Sequence, residues 1–301
     1  MKKEKERRTK GERRRVRGER LTSLAFFSPS LIGLLVFFVL PFFVVVRYAL
    51  VNNPVQGKFV GLDNFIALLH NYSFCLAAKN TAIFMAISVP GAVILSLMLA
   101  CILNQQIPLR SQIRTCMLTP LMVPVASVVL VWQVTFSNNG ALNSFLAGFG
   151  IDKIDWMKSE YNRYVVVLLY LWKNLGYNMI LFLAALSNVP TDIQEMAMLE
   201  GAGSLRIFFQ IKLRYLFPTV LFVTILSLIN SLKIFREVYL LTGKYPFDSL
   251  YLLQHFMNNT FESLDYQKLS AAAIMLALAM VVLIAILFLA DGYLGKDVEA
   301  E

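Results

Sequence analysis

Long apolar runs alternate with short polar connections along the whole chain. The runs fall at about residues 24–50, 80–103, 113–136, 164–187, 218–240 and 269–289, each near or above the ~20 residues a helix needs to cross the hydrocarbon core of a bilayer. The pattern predicts an all-α, polytopic membrane protein with six transmembrane helices. Backbone groups in lipid must be satisfied within a segment, and an uninterrupted apolar run can do this as a helix. The first run is longer than a secretory h-region and no small-x-small site closes it, so it is expected to stay attached. Pro90 with Gly91, and Pro120 with Pro124, interrupt the second and third runs and predict kinks there.

The polar connections predict an orientation. Of the lysines and arginines, eleven lie in residues 1–23, two at Arg110 and Arg114, three at Arg206, Lys212 and Arg214, and one at Lys296. The alternate connections hold seven: Lys58, Lys79, Lys153, Lys158, Arg163, Lys244 and Lys268. The bias places both termini in the cytoplasm. The predicted organisation is a basic tail at 1–23, a transmembrane domain at 24–292 carrying a cytoplasmic loop at 188–217, and a short tail at 293–301.

With 57% hydrophobic and 16% charged residues among 301, the connections are too short to bury a core of their own. The net charge of +9 does not imply nucleic acid. Its basic N-terminal run abuts a span and is interleaved with glutamate, as suits anionic lipid. Cys75, Cys101, Cys116, His70 and His255 show no ligand spacing, so no metal site is expected.

One cytoplasmic stretch, EMAMLEGAGSLRIFFQIKL, is more than a turn. Thr191 after Pro190, with Gln194 three residues on, predicts a capping box and a helix from Asp192 that Gly201 ends. Ile193, Met196, Ala197 and Glu200 would share one face. So short a helix is marginal alone and needs something to pack on. After the glycines, Ser204 predicts a second cap, with Leu205, Phe208, Phe209 and Leu213 as the apolar side.

Ionisable residues inside spans normally face a bundle interior or a watery cavity. Lys173, Lys233, Arg236 and Glu237 are such residues. Asn174, Gly176, Tyr177, Asn178, Asn230 and Ser231 join them in two polar clusters at matching depth, beside Trp172. Amides and aromatics suit a hydroxyl-rich ligand. A structural alternative is an i,i+4 pair between Lys233 and Glu237, with Arg236 and Glu237 snorkelling to the interface.

The loop residues Glu195, Ala197, Glu200, Gly201, Ala202, Phe208, Ile211 and Leu213 resemble the EAA signature of permease subunits of binding-protein-dependent ABC importers. Met196, Glu200 and Arg214 depart from its usual residues, the last standing where proline is common. FVGLDNFIALL, RTCMLTPLMVPVASVVLVWQVTFSNNGALN and VYLLTG are similar to phrases of the sugar branch, the maltose-transporter type. The resemblance implies a type I permease bundle whose short helix, with Glu195, Met196, Ala197, Glu200, Gly201 and Ala202, docks on a cytoplasmic ATPase dimer. It also implies a second permease chain, an extracellular solute-binding protein, a sugar substrate, and sugar contacts from the fourth and fifth spans. The chain has no G-x-x-x-x-G-K-[ST] loop, so ATP would be bound by the partner ATPase and no cofactor by this chain. Three alternatives stay open: a related permease for an acidic or phosphorylated sugar, phosphate or polyamine; an ion-coupled transporter; and a membrane enzyme, for which no catalytic constellation appears.

Overall fold

The computed structural model of the chain describes residues 22–23, 25–53, 56–105 and 107–294. The basic residues of 1–21 and Lys296, on which much of the charge bias rests, lie outside the described residues. Among the described residues the fold is helical, relieved by one isolated β-bridge between Val51 and Phe59. In chain order the helices are α1 (Ala25–Ala49), α2 (Asp63–Leu69), α3 (Tyr72–Asn104), α4 (Arg110–Met122), α5 (Val125–Phe136), α6 (Ala141–Ala147), α7 (Asn162–Leu186), α8 (Thr191–Leu199), α9 (Ser204–Thr242), α10 (Leu253–Glu262) and α11 (Tyr266–Leu294).

Five of these are long and apolar enough to cross a membrane: α1, α3, α7, α9 and α11. The expected third span is not one helix. It is α4 followed by Val125–Ala147, which takes in α5 and α6, bent by 100° at the intervening break, and counting these together as one span gives six. The cause is local. Val123 precedes Pro124 and is extended, with φ −75° and ψ 130°, because a proline ring crowds an α-helical residue before it. Pro124 itself has no N–H to continue the ladder. By contrast α3 runs unbroken past Pro90. Two spans also begin earlier than their apolar runs. The Asn71 side chain accepts the Phe74 N–H at 3.0 Å and starts α3 ahead of Lys79. Helix α9 runs from Ser204 through Arg214 and Pro218.

The chain divides into two compact units. The first comprises residues 1–66 and 265–274. Here the Asn64 amide donates to the carbonyls of Ala49 (2.9 Å) and Val51 (3.0 Å), closing the end of α1, and Tyr48 stacks on Tyr266 with ring centroids 6.3 Å apart. None of the most apolar window of α1 is buried.

The second unit, residues 67–264 and 275–301, has α7 at its centre, packed by α3, α4 and α9. Phe84 meets Tyr170 edge to face at 5.7 Å, and Val93, Met179, Phe182, Leu216 and Val223 fill a second cluster. Close approach of α4 to α7 depends on Gly176: a Cβ there would lie 1.8 Å from the Met117 carbonyl oxygen.

The segment after α9 is strapped over α3 and α7 by side chains. Asn80 donates to the carbonyls of Asp248 (2.6 Å) and Tyr251 (3.1 Å), while its own oxygen accepts from Arg163 at 3.2 Å. The Leu253 N–H donates to Thr81 Oγ1 at 2.8 Å, and Ser249 donates to Asn162 at 2.7 Å. The segment between α5 and α7 is organised by buried Asn143, whose amide donates to the Ile154 carbonyl at 2.8 Å and whose oxygen accepts from the Trp156 indole at 3.0 Å.

Candidate functional site

Helix α8 and its exit form the first candidate region. The helix starts at Thr191, with Pro190 in the capping position, so the predicted capping box does not form. Instead the Thr191 hydroxyl donates to Asp192 at 3.4 Å, and the Gln194 amide reaches back to the carbonyls of Val189 and Pro190. The end is as expected. Gly201, at φ +84°, takes the left-handed conformation that favours glycine. The Ala202 N–H then bonds the Ala197 carbonyl at 2.9 Å and the Gly201 N–H bonds that of Met198 at 3.0 Å, a Schellman closure that satisfies the last carbonyls.

No residue of α8 is buried. Glu195, Met196, Glu200 and Gly201 are exposed, and Ala197 and Ala202 are half-buried. The apolar side predicted for the next helix also differs. Ser204 is its first residue rather than its cap, and Leu205 and Phe209 stand in the open while Ile207 is the buried residue. A turn widened at Phe208–Lys212 follows, and the helix continues through exposed Arg214 without a break.

The second region lies in the bundle. A cavity of about 430 Å³ opens where α4 breaks from α5, lined by Lys173 and Asn174 of α7, by Asn230, Lys233, Arg236 and Glu237 of α9, and by the break itself. Of the eleven residues singled out for this region, these six come together. The other five do not line it. Trp172 lies against Trp132 with ring centroids 5.1 Å apart, and Gly176 is spent on the α4 contact. Asn178 donates to Ser227 at 3.0 Å and Ser231 to the Leu228 carbonyl at 2.6 Å, both buried. Tyr177, partly exposed, is one turn along α7 from Lys173.

The polar groups of the cavity form a chain. The Tyr170 carbonyl accepts from the Asn174 amide at 2.8 Å, the Asn174 oxygen accepts from Asn230 at 3.1 Å, and the Asn230 oxygen accepts from Lys233 at 3.3 Å. Glu237 neither snorkels nor pairs with Lys233. It is buried and bonded to Lys173 across the helix interface, because α7 presents that ammonium to the face of α9 on which Glu237 sits. One contributor was not singled out from the sequence, Tyr170, buried with its hydroxyl donating to the Ser227 carbonyl at 2.7 Å, whereas the Leu121–Val125 break falls where a kink was predicted. Pro120 and Pro124 were the available signal for the break; Tyr170 gave none.

A bundle of bilayer-length helices that gathers cations, a carboxylate and amides at a helix break has the build of a membrane transport protein, since such groups are costly in lipid unless they serve a watery path. The chain belongs to the family of binding-protein-dependent transport system inner membrane components, whose model matches residues 92–300. It is 29% identical to the sulfoquinovosyl glycerol transport system permease protein SmoG of Agrobacterium fabrum, over 88% of this chain and 89% of that one. It is 29% identical to the trehalose/maltose transport system permease protein MalF of Thermococcus litoralis, over 89% of this chain and 92% of that one. The fold matches one chain in the crystal structure of a bacterial alginate ABC transporter in complex with an alginate pentasaccharide-bound periplasmic protein, with a TM-score of 0.81 at 20% identity, covering 93% of this chain and 96% of that chain. The family membership implied by the EAA-like loop is thus established.

Proposed function

We propose that the chain is one of two non-identical permease subunits of an ATP-driven importer for a sugar or short oligosaccharide. A solute-binding protein delivers the solute outside, and a cytoplasmic ATPase dimer, which alone binds ATP, drives the cycle through α8. The observation that carries the reading is α8 itself, a nine-residue helix with a fixed glycine exit and no buried residue, too short to persist without a surface to cover it. Glu195 gives that surface an exposed carboxylate to pair with a cation. The excess of lysine and arginine on alternate connections supports placing α8 and both termini in the cytoplasm.

The cavity is the proposed solute path, with Lys173, Asn174, Asn230, Lys233, Arg236 and Glu237 as its polar lining and Tyr177 and Trp172 as nearby aromatic surface. Its volume is in the range of small-molecule sites. The names of the relatives, permeases for sulfoquinovosyl glycerol and for trehalose and maltose, support a carbohydrate. Docking of α8 would move the bundle as rigid elements, with no catalytic group in this chain. The test is uptake of a labelled carbohydrate panel by the reconstituted assembly: saturable uptake of a sugar, dependent on ATP and on the receptor, is expected. Uptake confined to polyamines or inorganic phosphate would contradict the substrate class.

A further inference from the structure

The charges lining the cavity do not balance. Lys173, Lys233 and Arg236 face a single carboxylate, Glu237, and that carboxylate is taken by Lys173. Lys233 is held only by the neutral Asn230 oxygen, and Arg236 has no ion-pair partner among the described residues. Lys233 and Arg236 are exposed, while Asn174 and Glu237, lining the same cavity, are buried. From this surplus of two positive charges we infer that the solute carries an acidic group, a carboxylate, sulfonate or phosphate, that Lys233 and Arg236 receive. The inference rests on the cavity being the solute path and adds the chemical class of what passes.

Three features make the arrangement specific. Lys233 and Arg236 stand three residues apart, on either side of the turn at Ile234, and both line the cavity. A guanidinium offers a planar fork suited to two acidic oxygens, and the neighbouring ammonium adds a point charge. The first turn of α5 opens at the same break, where Pro124 supplies no side-chain cap to its leading N–H groups; a helix start carries partial positive charge. The Lys173 to Glu237 pair keeps the only carboxylate of the lining away from the incoming anion. The Asn174 and Asn230 side-chain amides each spend one hydrogen within the chain of bonds and keep a second for a hydroxyl.

The experiment measures binding of digalacturonate and of its methyl ester, alike in shape but differing in charge, to the complete transport assembly in nanodiscs by calorimetry. The acid is expected to bind at least tenfold more tightly than the ester at low salt, with the preference shrinking as salt screens the exposed cations. The double substitution Lys233→Gln with Arg236→Gln should reduce the acid to the affinity of the ester, and Arg236→Lys should keep most of the preference. Equal affinity for acid and ester, strong or weak, overturns the inference, as does a preference for the acid that survives the double substitution. The two readings fail differently. A preference for the ester leaves the carbohydrate reading standing and ends this one, whereas a preference for inorganic phosphate or succinate over digalacturonate retains the acidic class and ends the carbohydrate.

Discussion

Two single residues show how narrowly the bundle is specified. Gly176 admits the Met117 carbonyl to a place that a Cβ would occupy. Gly176→Ala is therefore expected to force α4 and α7 apart and destabilise the purified protein by about 3 kcal/mol or more, the upper range for overpacking against an unyielding neighbour. A melting temperature within a degree of wild type would refute this. His255 is fully buried, and burial lowers its pKa from 6.5 to about 4. Its Nδ1 accepts the Leu252 N–H at 3.3 Å, and its ring meets Phe235 edge to face at 4.8 Å. A proton on Nδ1 would oppose that donor. Because the folded pKa lies below the unfolded one, the unfolded chain takes up the proton first as pH falls. The contribution of His255 is thus intact above pH 6.5 and declines between 6.5 and about 4, by ~1.4 kcal/mol per pH unit and ~3 kcal/mol in all. The difference in stability between wild type and His255→Leu, measured across that range, should narrow by this amount on acidification; a constant difference would exclude it.

At the scale of elements, α8 and the strapped segment after α9 are each held by a few polar bonds and are sensitive to them. Gly201 sits at φ +84°, so Gly201→Pro should break the exit of α8 and lower ATP-driven uptake at least tenfold, and Glu195→Ala should lower it similarly, with the chain still inserted. Full uptake by both variants would contradict the role proposed for α8. Asn80 makes two bonds to the segment after α9, and Asn80→Leu should raise amide exchange across residues 248–253 about thirtyfold, at about one lost kcal/mol per bond; unchanged exchange would show that the strap lies elsewhere. What the sequence revealed at this scale follows from periodicity and punctuation. Apolar length predicted the spans, and Gly201 marked where α8 stops. Cap chemistry was less legible: Pro190 took the position expected of Thr191, which moved a hydroxyl into the helix and dissolved the capping box. The α4 and α5 pair reads as one continuous apolar run, because hydropathy records burial in lipid and is silent on direction; only Pro120 and Pro124 hinted at the 100° bend. The pairing of Lys173 with Glu237, between residues far apart in sequence, needed the packing of α7 on α9, so the local i,i+4 alternative with Lys233 was the best a linear pattern offered.

At the scale of the whole chain the usual distribution of apolar residues is inverted: α1 and most of α11 carry exposed large hydrophobic side chains, while polar groups of α7 and α9 gather at a cavity beside the break between α4 and α5. Such a body can offer a path through lipid, but its sequence contains no phosphate-binding loop with which to power passage. The driving force is proposed to come from another chain acting through α8, so a solute is expected to move only when that chain closes. The most direct measurement is solute uptake into proteoliposomes holding either this permease with its permease partner alone, under an imposed proton or sodium gradient, or the same pair with the ATPase and enclosed ATP. Uptake only in the second, abolished by Glu195→Ala, is the predicted result; uptake in the first, driven by the ion gradient without any ATPase, would contradict it.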